Sequence, residues 1–592
     1  MMKLSIRLDE WSRRIWRTGQ TSAREVRVDL FWLIGLGLLL MGVGIGLRDP
    51  WPADEPRFAL VARDMVLNHQ WLIPMIGGDT YADKPPVFFW LIGSFYALTG
   101  SLRLSFLLPS LLASVASVAL VYDLGRRLWN REVGFAAGLL LLGTVQFVWQ
   151  GRQAQIDATS CFWIVLGLYG LLRHLLLGPN WRCYYLGCAA AGFGIITKGV
   201  GFLPLLVLIP YFLLRPTHAE NTQWSPRPAL LKAQQSAWRW ALGPVAMLAA
   251  ICVWFAPMML ASLTSPQLAA YRDEILFQQT IHRYANSWIH VKPFWYFFTE
   301  VIPPLWLPAS ALLPWAIPRW RDAWRGRDLR IALLLCWVLM VVVFFSFSTG
   351  KRGVYILPAL PAFCLALAPY LVQWWQHAGV RRVFFGLAVL ISVACLLLAT
   401  YMLWVPAKRS EVIYLYGINP VGPLLCMGIL GALICMLTRV RHAALAWASM
   451  LAVVLCTVGL WLNPEMNDIR SSKAFVWRIE AATASVAELG WMAYSEENLL
   501  MAHRPIVNFG HSRWRQWEQE ADDAAAWQAA KPGRVLVIEE ATRERCFSRA
   551  NAQSLRDGNN EIYYLVSSDA DPACVQRGHV EAALTYVPPA HW

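Results

Sequence analysis

Long apolar runs separated by short polar segments fill the chain up to residue 462. About 20 apolar residues suffice to span a bilayer as a helix. We therefore predict about thirteen transmembrane helices, near residues 29–48, 103–124, 133–150, 158–177, 183–197, 199–214, 240–261, 294–317, 331–349, 354–376, 383–405, 421–437 and 443–462. This pattern is typical of an α-helical polytopic membrane protein whose membrane domain covers residues 29–462.

One further apolar run, residues 87–99, is too short for a comfortable span. Basic residues decide its placement, because Lys and Arg are enriched in cytoplasmic loops. If the run crossed the membrane, Arg126, Arg127 and Arg131 would lie outside; if it lies along the interface, they lie inside. We therefore predict an interfacial segment, with residues 48–102 and 262–293 as external loops.

The composition changes after residue 462, because residues 463–592 mix acidic and basic side chains with shorter apolar runs. The pattern predicts a helix over residues 472–489 and strands at Arg534–Glu539 and Ile562–Val566. We expect a small α/β domain on the external, periplasmic side. Its two cysteines, Cys546 and Cys574, could pair in an oxidising compartment.

Composition supports the membrane assignment and argues against nucleic acid as a partner. Of 592 residues, 57% are hydrophobic and 15% are charged, whereas soluble domains carry about 25% charged residues. The net charge of +14 is scattered between the apolar runs, which is typical of cytoplasmic loops and not of a nucleic-acid surface. Residues 1–28 are basic and precede an uncleaved first span, so we place them in the cytoplasm.

Charged residues concentrate in the first predicted external loop. Asp54 and Glu55 precede Pro56 and a helical periodicity that places Phe58, Val61, Ala62, Met65 and Val66 on one face and Arg57, Asp64 and Asn68 on the other. The loop ends at Asp83-Lys84-Pro85-Pro86. From the residues alone, Asp54 is either a catalytic carboxylate or only a helix cap. Lys84 is either a phosphate ligand or a lysine that snorkels at the lipid boundary.

Further charged residues fall in other segments predicted to be external. These are Asp157, Lys198, His282, Arg283, Lys351 and Arg352, with Tyr355 close by. A carboxylate at a membrane edge is costly to bury, so Asp157 is expected to have a partner or a function. Lys198 is either functional or a simple loop lysine, and His282 is either a ligand or an interfacial histidine.

Two short motifs, Asp54-Glu55-x-Arg57-Phe58 and Tyr81-x-Asp83-Lys84-Pro85, resemble the first external loop of polyprenyl-phosphate-sugar-dependent membrane glycosyltransferases of the GT-C fold. The family includes lipid A aminoarabinose transferases and dolichyl-phosphate-mannose protein mannosyltransferases. The Thr-Lys-Gly sequence at Lys198 also resembles the sequence of this family at the matching place. The segment from Lys351 to Tyr355 is close to the family's sequence at this place. It differs slightly from that sequence, because Arg352 follows the lysine. The phosphate ligand there stays open among Lys351, Arg352 and Tyr355.

The resemblance implies an inverting transfer of a sugar, aminoarabinose-like or hexose, from a polyprenyl-phosphate carrier to a periplasmic acceptor such as lipid A. It implies Asp54 and Asp157 as catalytic residues. It implies that the substrate and its phosphate are bound by Glu55, Arg57, Asp83, Lys84, Lys198, His282, Arg283, Lys351, Arg352 and Tyr355. We expect a monomer in the bacterial inner membrane. A divalent metal near Asp54 and Asp83 is possible, although ligand spacing does not require one.

Two other functional classes share many of these features. A transporter or flippase of a lipid-linked sugar would also combine many spans with charged membrane edges. Transporters usually show repeated halves and broken midplane helices, which we do not recognise in the sequence. A scaffold or biogenesis factor would use the polar tail as its working part. The motifs favour the enzyme over both.

Overall fold

The computed structural model describes residues 22–214, 236–276, 291–511, 513–548, 550, 552–557 and 561–589. Helices dominate up to residue 470. In chain order they are α1 (Ala23–Gly42), α2 (Glu55–Leu67), α3 (Val87–Thr99), α4 (Leu102–Ser105), α5 (Leu108–Leu128), α6 (Arg131–Leu142), α7 (Val145–Gln150), α8 (Ile156–Leu177), α9 (Trp181–Lys198), α10 (Leu208–Leu214), α11 (Ala237–Ala261), α12 (Pro266–Asp273), α13 (Ile302–Leu305), α14 (Leu313–Arg325), α15 (Leu329–Phe347), α16 (Ala359–Trp374), α17 (Ala378–Trp404), α18 (Pro406–Tyr416), α19 (Val421–Thr438), α20 (Ala443–Thr457) and α21 (Asn463–Arg470). A two-stranded hairpin, β1 (Met75–Ile76) with β2 (Asp79–Thr80), lies in the first loop.

Each of the thirteen predicted spans contains helix. Within the described part of the chain, seven helices are long and apolar enough to cross a membrane, or eight if one bent pair counts as a single span. The bent pair, Phe297–Leu305 with Ser310–Arg325, turns by 100°. Other runs form shorter apolar helices, among them Val200–Leu214 and α16. The GT-C architecture is thus largely helical as predicted, whereas the count of thirteen spans stays a prediction.

The short apolar run that forms α3 begins and ends at the same end of the bundle. Arg103, which follows α3, pairs with Asp49, which precedes α2, with 2.5 Å between Nε and Oδ1. Both ends of the intervening segment are therefore fixed together. A helix of 13 residues is about 20 Å long, too short to cross and return between these points. The placement of this segment along the membrane interface stays a prediction.

The basic residues predicted to be cytoplasmic gather at the opposite end. Arg131 forms two hydrogen bonds of 2.7 Å with Asp29 of α1. Arg330, at the start of α15, donates to the carbonyl of Leu128 at the end of α5 over 2.9 Å. These contacts bring together four helices, α1, α5, α6 and α15. The bundle thus has one end rich in arginine and another that carries the first loop.

The polar tail folds as an α/β domain around one six-stranded sheet, with strand order β6-β7-β5-β3-β4-β8. Its elements are α22 (Lys473–Ala482), β3 (Glu488–Trp491), α23 (Glu496–Met501), β4 (Ile506–Asn508), α24 (Trp517–Ala529), β5 (Arg534–Glu539), α25 (Glu540–Cys546), β6 (Gln553–Arg556), β7 (Ile562–Val566), α26 (Pro572–Arg577) and β8 (Leu584–Tyr586). Strands β3, β4 and β5 are parallel and the outer pairings are antiparallel. Both predicted strands are confirmed. The predicted helix 472–489 is shorter, because its last residues form β3.

Helix α2 is packed between the membrane bundle and this domain. Arg63 of this helix is fully buried, and Asp64, which was placed opposite its apolar face, is 8% exposed. Arg63 donates to the carbonyl of Leu500 over 3.0 Å and also to the hydroxyl of Tyr586. That hydroxyl lies 3.3 Å from the Asp64 carboxylate. The expected loop on the membrane face is therefore a buried element that joins the two parts of the molecule.

Cys546 and Cys574 form a disulfide between α25 and α26, and the other ten cysteines are free. A cross-link of this kind typically stabilises a fold by about 2–4 kcal/mol. We expect a Cys546→Ser and Cys574→Ser double variant to unfold at lower temperature, while Cys252→Ser, which removes a free thiol, changes little. Alkylation of denatured, unreduced protein should modify ten thiols. Modification of all twelve would show that the bond does not form.

Candidate functional site

A cavity of about 240 Å³ opens between the first loop, the ends of α8 and α9, and the segment before α16. Eight of the predicted site residues line it: Asp54, Arg57, Asp83, Lys84, Asp157, Lys198, Arg352 and Tyr355. Apolar side chains complete the wall, among them Phe58, Ile156, Val200, Ile275 and Phe345. The sequence therefore identified most of the polar lining, although these residues are spread over some 300 positions of the chain.

Asp54 occupies the N-cap position of α2, but its carboxylate binds a distant side chain. Both terminal nitrogens of Arg352 lie 3.1 Å from Oδ2 of Asp54. The helix capping role is thus not what the carboxylate performs here, since it faces the cavity instead of the free N–H groups of α2. The charge pair places one acid and one base side by side in the cavity wall.

A second ion pair joins Asp157 and Lys198 across the cavity floor. Asp157 lies in the first turn of α8 and Lys198 is the last residue of α9, which are the helix ends that favour a negative and a positive charge respectively. The Nζ of Lys198 also lies 4.9 Å from the ring centre of Tyr355. Two helix ends and one aromatic ring thus hold this pair in place.

The third polar group comes from the end of the first loop. Lys84 donates to the carbonyl of Asp83 over 2.9 Å, and the prolines that follow restrict the backbone before α3. Nη1 of Arg57 lies 3.9 Å from the Asp83 carboxylate. The loop therefore presents a lysine, an arginine and a carboxylate to the same cavity.

Burial and neighbouring charges alter the acidity of these groups. Burial opposes the charge of Arg57, yet Tyr81, Glu496 and Asp83 raise the pKa of Arg57 above its usual range. Burial likewise opposes the charge of Arg352, while Asp54 and Asp157 raise the pKa of Arg352. Burial, with a contribution from Asp83, raises the pKa of Tyr81 well above its ordinary value. The cavity thus holds two permanent guanidinium charges beside a neutral phenol.

Four cationic and three anionic side chains line the cavity, so the lining carries one excess positive charge. Such a surface suits an anionic group like phosphate, which Arg and Lys bind through charge-assisted hydrogen bonds. The predicted metal option fits less well, because Asp54 is bound to Arg352 and Asp83 lies close to Arg57. Among the described residues, the three metal-ligating side chains that cluster are Asp522, Cys546 and Cys574, and both cysteines are in the disulfide.

Glu55, which was predicted to bind substrate, lies behind the cavity wall. Its carboxylate pairs with Arg48, including a 2.8 Å bond to Nη2, and accepts from the backbone N–H groups of Trp51 and Ala154. Both oxygens of the Glu55 carboxylate are therefore engaged by these partners. Glu55 therefore joins the first loop to the segment before α8, which is a structural role.

We expect Glu55→Gln to lower the stability of the protein by about 3 kcal/mol, because it leaves the buried Arg48 without its counter-ion. Thermal unfolding should show this loss, and kcat/KM per folded molecule should stay near the wild-type value. The matched control is Glu411→Gln, whose pair with Lys408 is exposed to solvent and should therefore leave the unfolding temperature nearly unchanged. A large fall in kcat/KM at an unchanged unfolding temperature would instead indicate that Glu55 binds substrate.

Lys351 also departs from its predicted role. It is 4% exposed, and its Nζ donates to the carbonyl of Lys292 over 2.7 Å, away from the cavity lining. Of the three residues left open as phosphate ligands, Arg352 and Tyr355 are the two that reach the cavity. His282 and Arg283 lie outside the described residues.

Several lining residues were not predicted. Gln155, Ser160 and Ser348 are small polar groups without a recognisable motif. Tyr81 belongs to the Tyr-x-Asp-Lys-Pro motif and could have been identified from it. Glu496, which binds Arg57 from the C-terminal domain, is 439 residues away in sequence and carries no sequence signal.

The chain is similar in sequence and in fold to known proteins. A family model described as dolichyl-phosphate-mannose-protein mannosyltransferase matches residues 83–233. The chain is 31% identical over 556 residues to the undecaprenyl phosphate-alpha-4-amino-4-deoxy-L-arabinose arabinosyl transferase of Pseudomonas paraeruginosa, covering 86% of this chain and 91% of that protein. The protein of the same name from Pseudomonas aeruginosa is 31% identical over 557 residues, with the same coverage.

The fold is similar to a solved structure. The crystal structure of ArnT from Cupriavidus metallidurans bound to undecaprenyl phosphate superposes with a TM-score of 0.70 and 20% sequence identity. The match covers 91% of this chain and 98% of that chain. The two chains therefore share one architecture over nearly their whole length, including the C-terminal domain.

Proposed function

The chain belongs to the family of undecaprenyl phosphate-alpha-4-amino-4-deoxy-L-arabinose arabinosyl transferases, and we propose that it transfers an aminoarabinose-type sugar from undecaprenyl phosphate to lipid A. It is a multi-pass inner-membrane glycosyltransferase of the GT-C fold. The predicted fold and enzyme class are thereby confirmed. The choice of donor and acceptor follows the names of the relatives and is tested below.

One observation carries the proposal: three carboxylates and four cations from distant parts of the chain meet in one cavity. A sugar phosphate needs cations for its phosphate, and the acceptor needs a carboxylate to orient it. Both kinds of group lie side by side here, as in the pair of Asp54 with Arg352. A flippase needs no such arrangement of acid and base at one point.

The chemistry is a substitution at the anomeric carbon of the donor sugar. The bond between that carbon and the oxygen of the lipid phosphate breaks, and a bond to an acceptor oxygen forms on the opposite face. The electron pair of the broken bond leaves with the lipid phosphate. Lys84, Arg352 and Lys198 line the cavity where this negative charge develops, and such electrostatic stabilisation is usually the largest catalytic effect.

The carboxylates act on the acceptor and on the sugar. Asp54 is proposed to orient the acceptor oxygen, and to take up its proton if the acceptor is a hydroxyl or a protonated phosphate. A dianionic lipid A phosphate would need orientation alone. Asp157, fixed by Lys198, is proposed to bind the sugar from the other side of the cavity. Phe58 and Ile156 add apolar surface to the same cavity wall.

We place the site on the periplasmic side of the membrane. The cavity lies at the end of the bundle that carries the first loop and the C-terminal domain. The arginine-rich end, with Arg131 and Arg330, is the opposite one, and such ends are usually cytoplasmic. A site outside the cytoplasm has no supply of nucleotide sugars, which fits a lipid-linked donor.

The direct test uses purified protein in detergent, polyprenyl-phosphate aminoarabinose and lipid A. Mass spectrometry should detect lipid A with one added aminopentose and an equal amount of free polyprenyl phosphate. A parallel reaction with a polyprenyl-phosphate hexose tests the alternative sugar. Transport of the donor across vesicles without any transfer product would overturn the proposal in favour of a flippase.

A further inference from the structure

The cavity-lining Arg57 is held from outside the membrane domain. Its Nε donates to Oε1 of Glu496 in the C-terminal domain over 2.6 Å. The carboxylate of Asp83, which belongs to the same loop as Arg57, is 3.9 Å from Nη1 and thus beyond hydrogen-bond distance. The carboxylate that fixes the guanidinium is therefore supplied by the C-terminal domain.

Glu496 is itself held firmly. It begins α23, whose N-terminus is closed by a capping box between Ser495 and Asn498. Its side chain is 11% exposed. The last turn of α23 is attached to α2, because Arg63 donates to the carbonyl of Leu500 over 3.0 Å. A buried and doubly anchored carboxylate can fix the direction of its partner.

A second set of contacts holds the domain against the loop beside the cavity. Nδ2 of Asn508 donates to the carbonyl of Gly77 over 2.9 Å. At Gly77, whose φ is +61°, an added Cβ would lie 2.7 Å from the hydroxyl of Tyr494, so the two surfaces are in close contact. The rings of His511 and Tyr81 also lie 5.6 Å apart. The position of Glu496 relative to the cavity is thus set by an extended interface.

The charge pattern explains why this contact matters for binding. A guanidinium is planar and carries five N–H donors, four of them on its terminal nitrogens. When Nε is bound, the plane is fixed and the terminal nitrogens can meet a phosphate in two parallel hydrogen bonds. Without Glu496, Arg57 would be drawn to Asp83, and that pair would compete with a substrate phosphate.

We propose that Glu496 is a positioning residue that holds Arg57 for binding an anionic phosphate group, so that the C-terminal domain completes the cavity. This role rests on the proposed function, because it assumes a substrate that carries a phosphate. Glu496 lies behind Arg57 and acts through it, without touching the reacting atoms itself.

The test is a double-mutant cycle with wild type, Glu496→Gln, Arg57→Ala and the double variant. Binding of undecaprenyl phosphate is measured without turnover, and KM and kcat are measured with the lipid-linked aminoarabinose donor. We expect Glu496→Gln to weaken binding and raise KM by about tenfold, within the usual coupling of contacting residues, with a smaller effect on kcat. In the Arg57→Ala background the same change should have almost no further effect. Glu496→Asp should recover part of the loss.

Two control variants separate positioning from stability. Glu488→Gln removes another carboxylate of the same domain, one bound to Arg534, and Tyr586→Phe removes a hydroxyl that joins the domain to Arg63. Both should lower the unfolding temperature and leave KM unchanged. Additive losses of Glu496→Gln and Arg57→Ala, or a Glu496→Gln effect on unfolding alone, would overturn the role. Wild-type protein that neither binds nor uses a lipid-linked donor would instead overturn the proposed function itself.

Discussion

Asp54→Asn is expected to lower the rate of sugar transfer by about 10³-fold or more. The substitution keeps the size of the side chain but removes the charge that pairs with Arg352 and that we propose to orient the acceptor. A positioned carboxylate that assists proton transfer contributes about 10²–10⁴-fold. Because the pair with Arg352 would also weaken, we expect the upper part of this range. Initial rates with purified protein and lipid-linked aminoarabinose provide the measurement.

The matched control for this variant is Asp569→Asn. Asp569 belongs to an Asp-Ala-Asp sequence that matches a motif of nucleotide-sugar enzymes, and it lies exposed in the C-terminal domain. Its backbone φ is +62°, a conformation that Asn also tolerates, so the fold should be unaffected. This variant should retain wild-type activity. Equal activity of Asp54→Asn and wild type at equal unfolding temperature would contradict the assigned role of Asp54.

Lys84→Ala is expected to lower kcat/KM for the lipid-linked donor by about 10²–10³-fold, the loss seen when one donor to a developing negative charge is removed. Lys84 is fixed between Asp83 and two prolines and lines the cavity beside Tyr81. We expect both a higher KM and a lower kcat, because the phosphate is anionic before and during the reaction. Donor titrations at saturating lipid A separate the two constants.

Lys351→Met is the control for this second prediction. Lys351 belongs to the segment that resembles the family signature, but it is buried and bonded to the carbonyl of Lys292. Methionine has a similar length and no charge, so we expect a lower unfolding temperature and a nearly unchanged KM. If Lys351→Met raised KM as strongly as Lys84→Ala, the phosphate would lie on the other side of Arg352.

The sequence predicted the cavity better than it predicted individual neighbours within it. Asp54 and Glu55 are adjacent, yet Asp54 faces the cavity and Glu55 faces Arg48. Successive residues on a helix point about 100° apart, so two adjacent charges in one motif rarely share a function. Lys351 and Arg352 are also adjacent, and Arg352 has extended backbone, in which successive side chains point to opposite sides. A motif locates such a pair, and three-dimensional packing decides which member reaches the substrate.

Long-range contacts set the second limit of sequence analysis. Helix α2 shows a clear apolar face, with Arg57, Asp64 and Asn68 on its other side. The C-terminal domain covers that side through Tyr586 and the backbone of Leu500. Hydrophobic periodicity identifies the apolar face of a helix. It gives no information on contacts with a domain that lies about 400 residues later in the chain. The contact of Glu496 with Arg57 was hidden for the same reason.

Helix occurs in each predicted apolar run because such a run is a local property of the chain, whereas the number of membrane spans stays a prediction. The polar domain was predicted in part. Strands β5 and β7 are short apolar runs, and the hydrophobic pattern of the sequence reveals such runs. The first two residues of strand β3 were included in the predicted helix 472–489, because a strand of four residues carries too little pattern to separate it from α22. The order of strands in the sheet depends on tertiary packing and had no signal in the sequence.

We propose that one cavity, at the end of the bundle that we place on the periplasmic side, binds the phosphate of a lipid-linked donor. A cryo-electron microscopy structure of the protein with bound undecaprenyl phosphate tests it most directly. We predict phosphate density inside the cavity, in contact with Lys84 and Arg352 and near Tyr355. Density for the phosphate at any other surface, with the cavity free of lipid, would contradict the account.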